Sequence, residues 1–82
     1  MKIEKAVINN KTISILFSNN KIGFIYVDNF LTKPPFYLLK NESILSLMDF
    51  DSERLFWGDT DNPVIDIHID QIIERVVWIN EQ

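Results

Sequence analysis

The chain's one histidine, His68, stands between Asp66 and Asp70 at a spacing of two. On a β-strand three such side chains share a face, and a row of carboxylate, imidazole and carboxylate can hold a divalent metal. A metal site normally draws ligands from more than one element and orients them through further hydrogen bonds. Asp66, His68 and Asp70 are therefore metal candidates set against a plainer reading, a solvated strand face whose aspartates serve turns and caps. The plainer reading is taken, so neither a metal nor a cofactor is expected. Asp49, Asp51, Asp59 and Asp61 invite calcium, but DTDNPV lacks the glycine and the distal glutamate of an EF-hand loop. Paired carboxylates do acid–base work when one is buried in a cleft, which so short a chain rarely builds alone. There is no cysteine, no serine in a glycine-flanked elbow, and only Gly23 and Gly58 with which to cradle a phosphate. The chain is read as non-catalytic.

Lys2, Lys5, Lys11 and Lys21 with Phe24 and Tyr26 are the nearest approach to a basic, stacking surface for nucleic acid. The net charge of −4 and the lack of arginine before Arg54 argue against it, and such lysines commonly guard an edge strand from aggregation. Charge is placed unevenly. Residues 1–40 carry six lysines against Glu4 and Asp28, a net of +4, and residues 41–82 carry Arg54 and Arg75 against ten acids, a net of −8. Either the halves neutralise each other in the fold, or an acidic face is kept for a basic partner.

These residues must be positioned by a small sheet. Eighty-two residues with 46% apolar content allow one domain, residues 1–82, with one core. Lys11 to Val27 is the organising stretch: two β-branched and aromatic runs separated by Ser18, Asn19 and Asn20, hence a hairpin. Ile13, Ile15 and Phe17 face one way, and Thr12, Ser14 and Leu16 the other. Before it, residues 2–8 read as a strand with Ile3 and Val7 on one face and Lys2, Glu4 and Ala6 on the other. Asp28 to Leu31 leave the sheet, Lys33-Pro34-Pro35 is a connector, and Phe36 to Leu39 form an extended or single-turn segment folding back over the sheet. Asn41 caps a helix of about two turns through Ile44, Leu45 and Met48.

LMDFD and RLFWG make a second hairpin about Ser52 and Glu53, with Leu55 and Trp57 opposite Phe56. GDTDNP is turn chemistry, VIDIHID alternates as an edge strand, and Ile69, Ile72, Ile73 and Val76 then fall at helical spacing with Asp70 as cap. Trp57 is expected in the core. Val76, Val77, Trp78 and Ile79 either close the core as a last strand or form an exposed docking strip. The charged N-terminal stretch, MKIEKAVINNK, lacks the apolar run of a signal peptide, and no run approaches a membrane span. A soluble, cytoplasmic protein is expected.

Several of these marks together resemble the uncharacterised bacterial family known as domain of unknown function 2442. They are Phe17-Ser18 before the first turn, Tyr26-Val27-Asp28 with Phe30 and Leu31, Phe36 and Leu39, the Asn41–Leu45 helix, Leu55 and Trp57 of RLFWG, and Asp66-Ile67 followed by Asp70 and Ile72. The resemblance covers about residues 3–73, with Asn19-Asn20 where the family has Asp-Gly, Ile69 where it has proline, and a longer loop at GDTDNPVI. It implies a small α+β domain with no established enzymatic activity. Some relatives are encoded beside another small protein in pairs like a toxin and antitoxin.

The sequence thus predicts an α+β fold: a curved antiparallel sheet of about four to six strands with one or two short helices on one face. It predicts a protein-interaction module, the antitoxin-like half of a pair or a homodimer, with Val76, Val77, Trp78 and Ile79 as the docking residues. The alternative is a small-ligand sensor with a pocket between the sheet and residues 36–39.

Overall fold

Period-two alternation commits Ile13, Ile15 and Phe17 to one side of a strand, and each is fully buried in the computed structural model, which describes residues 1–29, 36–58 and 63–79. That strand, β2 (Thr12–Phe17), lies between β1 (Ile3–Asn9) and β3 (Ile22–Tyr26), all antiparallel. Both connections use asparagine at positive φ, Asn10 at 56° and Asn20 at 65°. Its short polar side chain tolerates that conformation better than most residues do. In the second turn the amide of Asn20 donates to the carbonyl of Phe17, and the amide of Phe17 donates to that of Lys21.

β1 corrects the expected facing. The register against β2 shifts between Ile3 and Lys5, so one extra residue bulges and the alternation reverses beyond it. Ile3 is buried, Ala6 and Ile8 pack against the core, and Val7, expected beside Ile3, points outward. Val27–Asn29 then makes a 3-10 turn that buries Val27. A second such turn, Phe36–Lys40, buries Leu39 and lays Phe36 and Leu38 on the core, as a single-turn segment would. The connector read at Phe30 to Pro35, and Asp59 and Asp61 of the GDTDNP turn, lie outside the described residues.

Asn41 caps α1 (Glu42–Leu45), its side chain accepting from the amide of Ser43 at 2.9 Å. The helix is one turn, shorter than expected, because Met48 belongs to a strand. β4 (Met48–Phe50) pairs with β5 (Arg54–Gly58), and β5 pairs with β6 (Pro63–His68), again antiparallel. β6 is an edge strand, as its alternation indicated. α2 (Ile69–Arg75) follows without a break, and β7 (Val77–Trp78) returns to pair with β3.

The fold is α+β and antiparallel, but it has two sheets where one was expected, ordered β1-β2-β3-β7 and β4-β5-β6. Helical segments intervene after β3, and β4 pairs only within its own hairpin. The sheets meet where the amide of Ile3 donates to the carbonyl of Ser52 at 2.8 Å, in the β4–β5 turn that also takes the amide of Ile69 on the Glu53 carbonyl at 2.7 Å. Their inner faces share one core: Ile13, Ile15, Phe17 and Ile25 from the first, Leu55, Trp57, Ile65 and Ile67 from the second, closed by Leu39, Leu45, Ile69 and Ile72. Trp57 is 1% exposed and donates its indole N–H to the carbonyl of Leu45 at 3.1 Å, so the ring ties β5 to α1.

Candidate docking surface

The histidine row comes apart at the junction of β6 and α2. Asp66 and His68 share a strand face, but the strand ends at His68, and Asp70 falls in the first turn of the helix. His68, not Asp70, is the N-cap. Its Nδ1 accepts from the amide of Asp70 at 3.5 Å, and its own amide donates to Oε1 of Gln71 at 3.2 Å, which completes a capping box. Carboxylates flank the ring, with Asp70 3.7 Å from Nδ1 and Glu53 3.9 Å from Nε2. Asp66 faces the Arg54 guanidinium at 4.0 Å instead. Among the described residues no cluster of three or more metal-ligating side chains forms.

The charged halves meet where Lys2 bonds Glu53 at 2.8 Å, and that bond holds the Glu53 carboxyl below its ordinary value. Arg54 bonds Asp51 at 2.8 Å and holds the Asp51 carboxyl below its ordinary value. The same guanidinium lies over Phe56, 4.8 Å from the ring centre, and Phe56 is buried although it is not part of the shared core. Three of the four lysines weighed for a nucleic-acid surface have near neighbours. Lys2 is held by Glu53, Lys11 lies 3.5 Å from Asp28, and Lys21 sits over the Trp78 ring at 5.8 Å.

A cleft of about 570 Å³ opens between the β1–β2 turn and α1, lined by Ile8, Asn10, Lys11, Thr12, Glu42, Leu45 and Ser46. The segment 36–39 does not line it. Among the described residues no polar or charged side chain is buried, so no buried polar group is aimed into that cleft.

The outer face of the first sheet is different. Antiparallel sheets with one solvated side usually alternate apolar-in and polar-out, and here the outward residues are largely apolar too. Register places them in three cross-strand rows: Lys5, Leu16 and Ile22, continued by Ile79 whose amide donates to Ile22; Val7, Ser14, Phe24 and Val77; and Asn9, Thr12 and Tyr26. Val7 is 49% exposed, Tyr26 44%, Val77 49% and Ile79 41%, with Leu16, Ile22 and Phe24 half-buried. A shallow depression of about 240 Å³ lies among Lys5, Val7, Ser14, Leu16 and Ile22.

No protein family, curated protein or solved structure matches this chain. The surface is therefore read from its own residues.

The four tail residues are divided by the strand they form. Val76 and Trp78 turn inward, Trp78 meeting Phe17 with ring centres 5.1 Å apart, while Val77 and Ile79 join the outer face. The tail is thus a closing strand and a contributor to an exposed surface at once. Sequence reasoning missed Val7, Leu16 and Ile22 as surface candidates, and weighed Phe24 and Tyr26 only for stacking on nucleic acid. The available signal was the non-polar character of both faces of Ile22–Tyr26. Gly23 was missed as well: a Cβ there would collide with Cγ2 of Val76, so the chain leaving α2 crosses β3 only because Gly23 has no side chain. No helix among the described residues is long and apolar enough to cross a membrane.

Proposed function

We propose that this chain is a non-catalytic protein-interaction domain that docks through the outer face of its β1-β2-β3-β7 sheet. The observation that carries this reading is the cross-strand array of Val7, Leu16, Ile22, Phe24, Tyr26, Val77 and Ile79, in which four side chains remain at least 41% exposed. Contiguous apolar surface of this kind is rare on a solitary chain and marks association. A small domain without disulfides also gains more than a large one from burying it. The family resemblance implies one form of partner, the other half of a toxin–antitoxin-like pair.

The test is in-cell photocrosslinking with a benzophenone amino acid placed at Phe24, and at Asp49 on the second sheet as control. A discrete protein adduct from position 24 and none from position 49 is the expected outcome. Absence of any adduct at position 24, in a chain that remains folded, refutes the reading.

A further inference from the structure

We infer that the occupant of this face is a second copy of the same chain, packed sheet against sheet about a two-fold axis. This rests on the interaction reading above and specifies its partner. Shape is the first argument. A two-fold axis laid along the Val7–Ser14–Phe24–Val77 row brings the Lys5–Leu16–Ile22 row of one copy over the Asn9–Thr12–Tyr26 row of the other. Each strand then faces its own counterpart, so Tyr26, 44% exposed, stands over Ile22 of the second copy at the rim of the depression of about 240 Å³ beside Leu16, and the same contact occurs twice. A knob and a hole at opposite ends of one face are what an isologous interface requires.

Charge is the second argument. The three rows contain one ionisable cation, Lys5 at a corner, and Lys11 near the opposite end is paired with Asp28. Two such faces do not repel each other, and a polyanion or a strongly basic peptide finds little to bind. Area is the third. Three strands about 4.8 Å apart with five residues rising about 3.3 Å each, and the two residues of β7, make a plane of about 270 Å². With side-chain relief that is about 400–500 Å² per copy, or about 800–1,000 Å² for the pair, the size of a weak, transient interface. Aligned sheets packed about 10 Å apart form such a sandwich, and this size suits a reversible dimer.

Sedimentation velocity of the full chain over a concentration series tests this, paired with amide NMR spectra of the same dilution series. The expected result is a species that moves from 9.7 kDa toward twice that mass as concentration rises. Dilution shifts should concentrate on outward positions of β2 and β3 and spare β5 and β6. Tyr26→Ala, an exposed site whose loss leaves the core intact, should weaken association about tenfold or more. Ser14→Lys, central and already polar, should do the same with an unchanged circular dichroism spectrum. A single 9.7 kDa species throughout, dilution shifts confined to the second sheet, or folded variants that associate as the parent does would overturn the inference. So would binding of the monomer to neutral phosphatidylcholine vesicles through this face. A monomer that still forms a position-24 adduct with a different protein removes the second copy and leaves the docking surface; a monomer with no adduct removes both.

Discussion

Replacing Gly23 with alanine should destabilise the protein, and removing the Val76 side chain should reverse the sign of that change. Alanine in a strand interior is ordinarily better than glycine by about 0.5–1 kcal/mol, because glycine loses more backbone freedom on folding. Here the added methyl meets Cγ2 of Val76, while its next neighbours, Cε3 of Trp78 at 3.4 Å and the carbonyl oxygen of Val77 at 3.5 Å, are ordinary contacts. Overpacking of this kind costs about 1–3 kcal/mol, which leaves a net loss of about 1–2 kcal/mol, or about 5–10 °C in Tm for a domain of this size. Val76→Ala alone, at a half-buried site, should cost about 1 kcal/mol. In that background the only colliding atom is gone, so Gly23→Ala should become neutral or mildly stabilising, a coupling of about 2 kcal/mol between the two sites. Urea unfolding of the four proteins, followed by far-ultraviolet circular dichroism and by the fluorescence of Trp57 and Trp78 together, reads the cycle. Equal losses from Gly23→Ala in both backgrounds would show that Val76 is not what reserves the position for glycine.

Trp57→Phe should cost about 2–3 kcal/mol in urea unfolding, because the buried Leu45 carbonyl loses its indole donor and the site loses volume. At Asn20, which holds φ at 65°, glycine should match or exceed the parent in thermal melts while valine loses about 1–2 kcal/mol. The Asp51 carboxyl is held below its ordinary 3.8, first by the Arg54 hydrogen bond, so its contribution is present above that value and fades as pH falls through the lower folded-state one. Parent minus Asp51→Asn stability should accordingly shrink toward zero below pH 3.8 in acid titrations followed by circular dichroism. A difference that persists at the lowest pH contradicts the ion pair as its source.

The parts of the fold that could be read from the sequence are those whose information is local. Period-two alternation put Ile13, Ile15 and Phe17 inside, Asn19-Asn20 marked a turn, and the change of period after Ile67 marked the start of α2. Residues with two compatible patterns misled. Met48 fits the helical spacing of Ile44 and Leu45 but pairs with Trp57 in β4, and Asp70 fits a cap that His68 supplies. The bulge between Ile3 and Lys5 reverses the facing of Val7 without any composition signal, because the register is set by β2 rather than by β1 itself. Phe56 sits on an outward face and is nevertheless buried, with the guanidinium of Arg54 over its ring, a contact that alternation cannot express. The exposed apolar face proposed for docking was hardest to see: its rows join residues from four separate strands, and only the tail residues were read from the sequence as protein-docking candidates.

The pairing of β3 with β7 also has a temporal side. A ribosome delivers the Gly23 and Phe24 edge early and the Val77–Trp78 strand only after most of the remaining chain, an interval on the order of seconds at usual elongation speeds. Throughout that interval the nascent hairpin pair presents a row of unsatisfied amides and carbonyls beside an apolar surface, the combination that recruits holding chaperones or stray strands. Slower synthesis between β3 and β7 should therefore lower the folded yield while leaving the stability of the finished molecule unchanged.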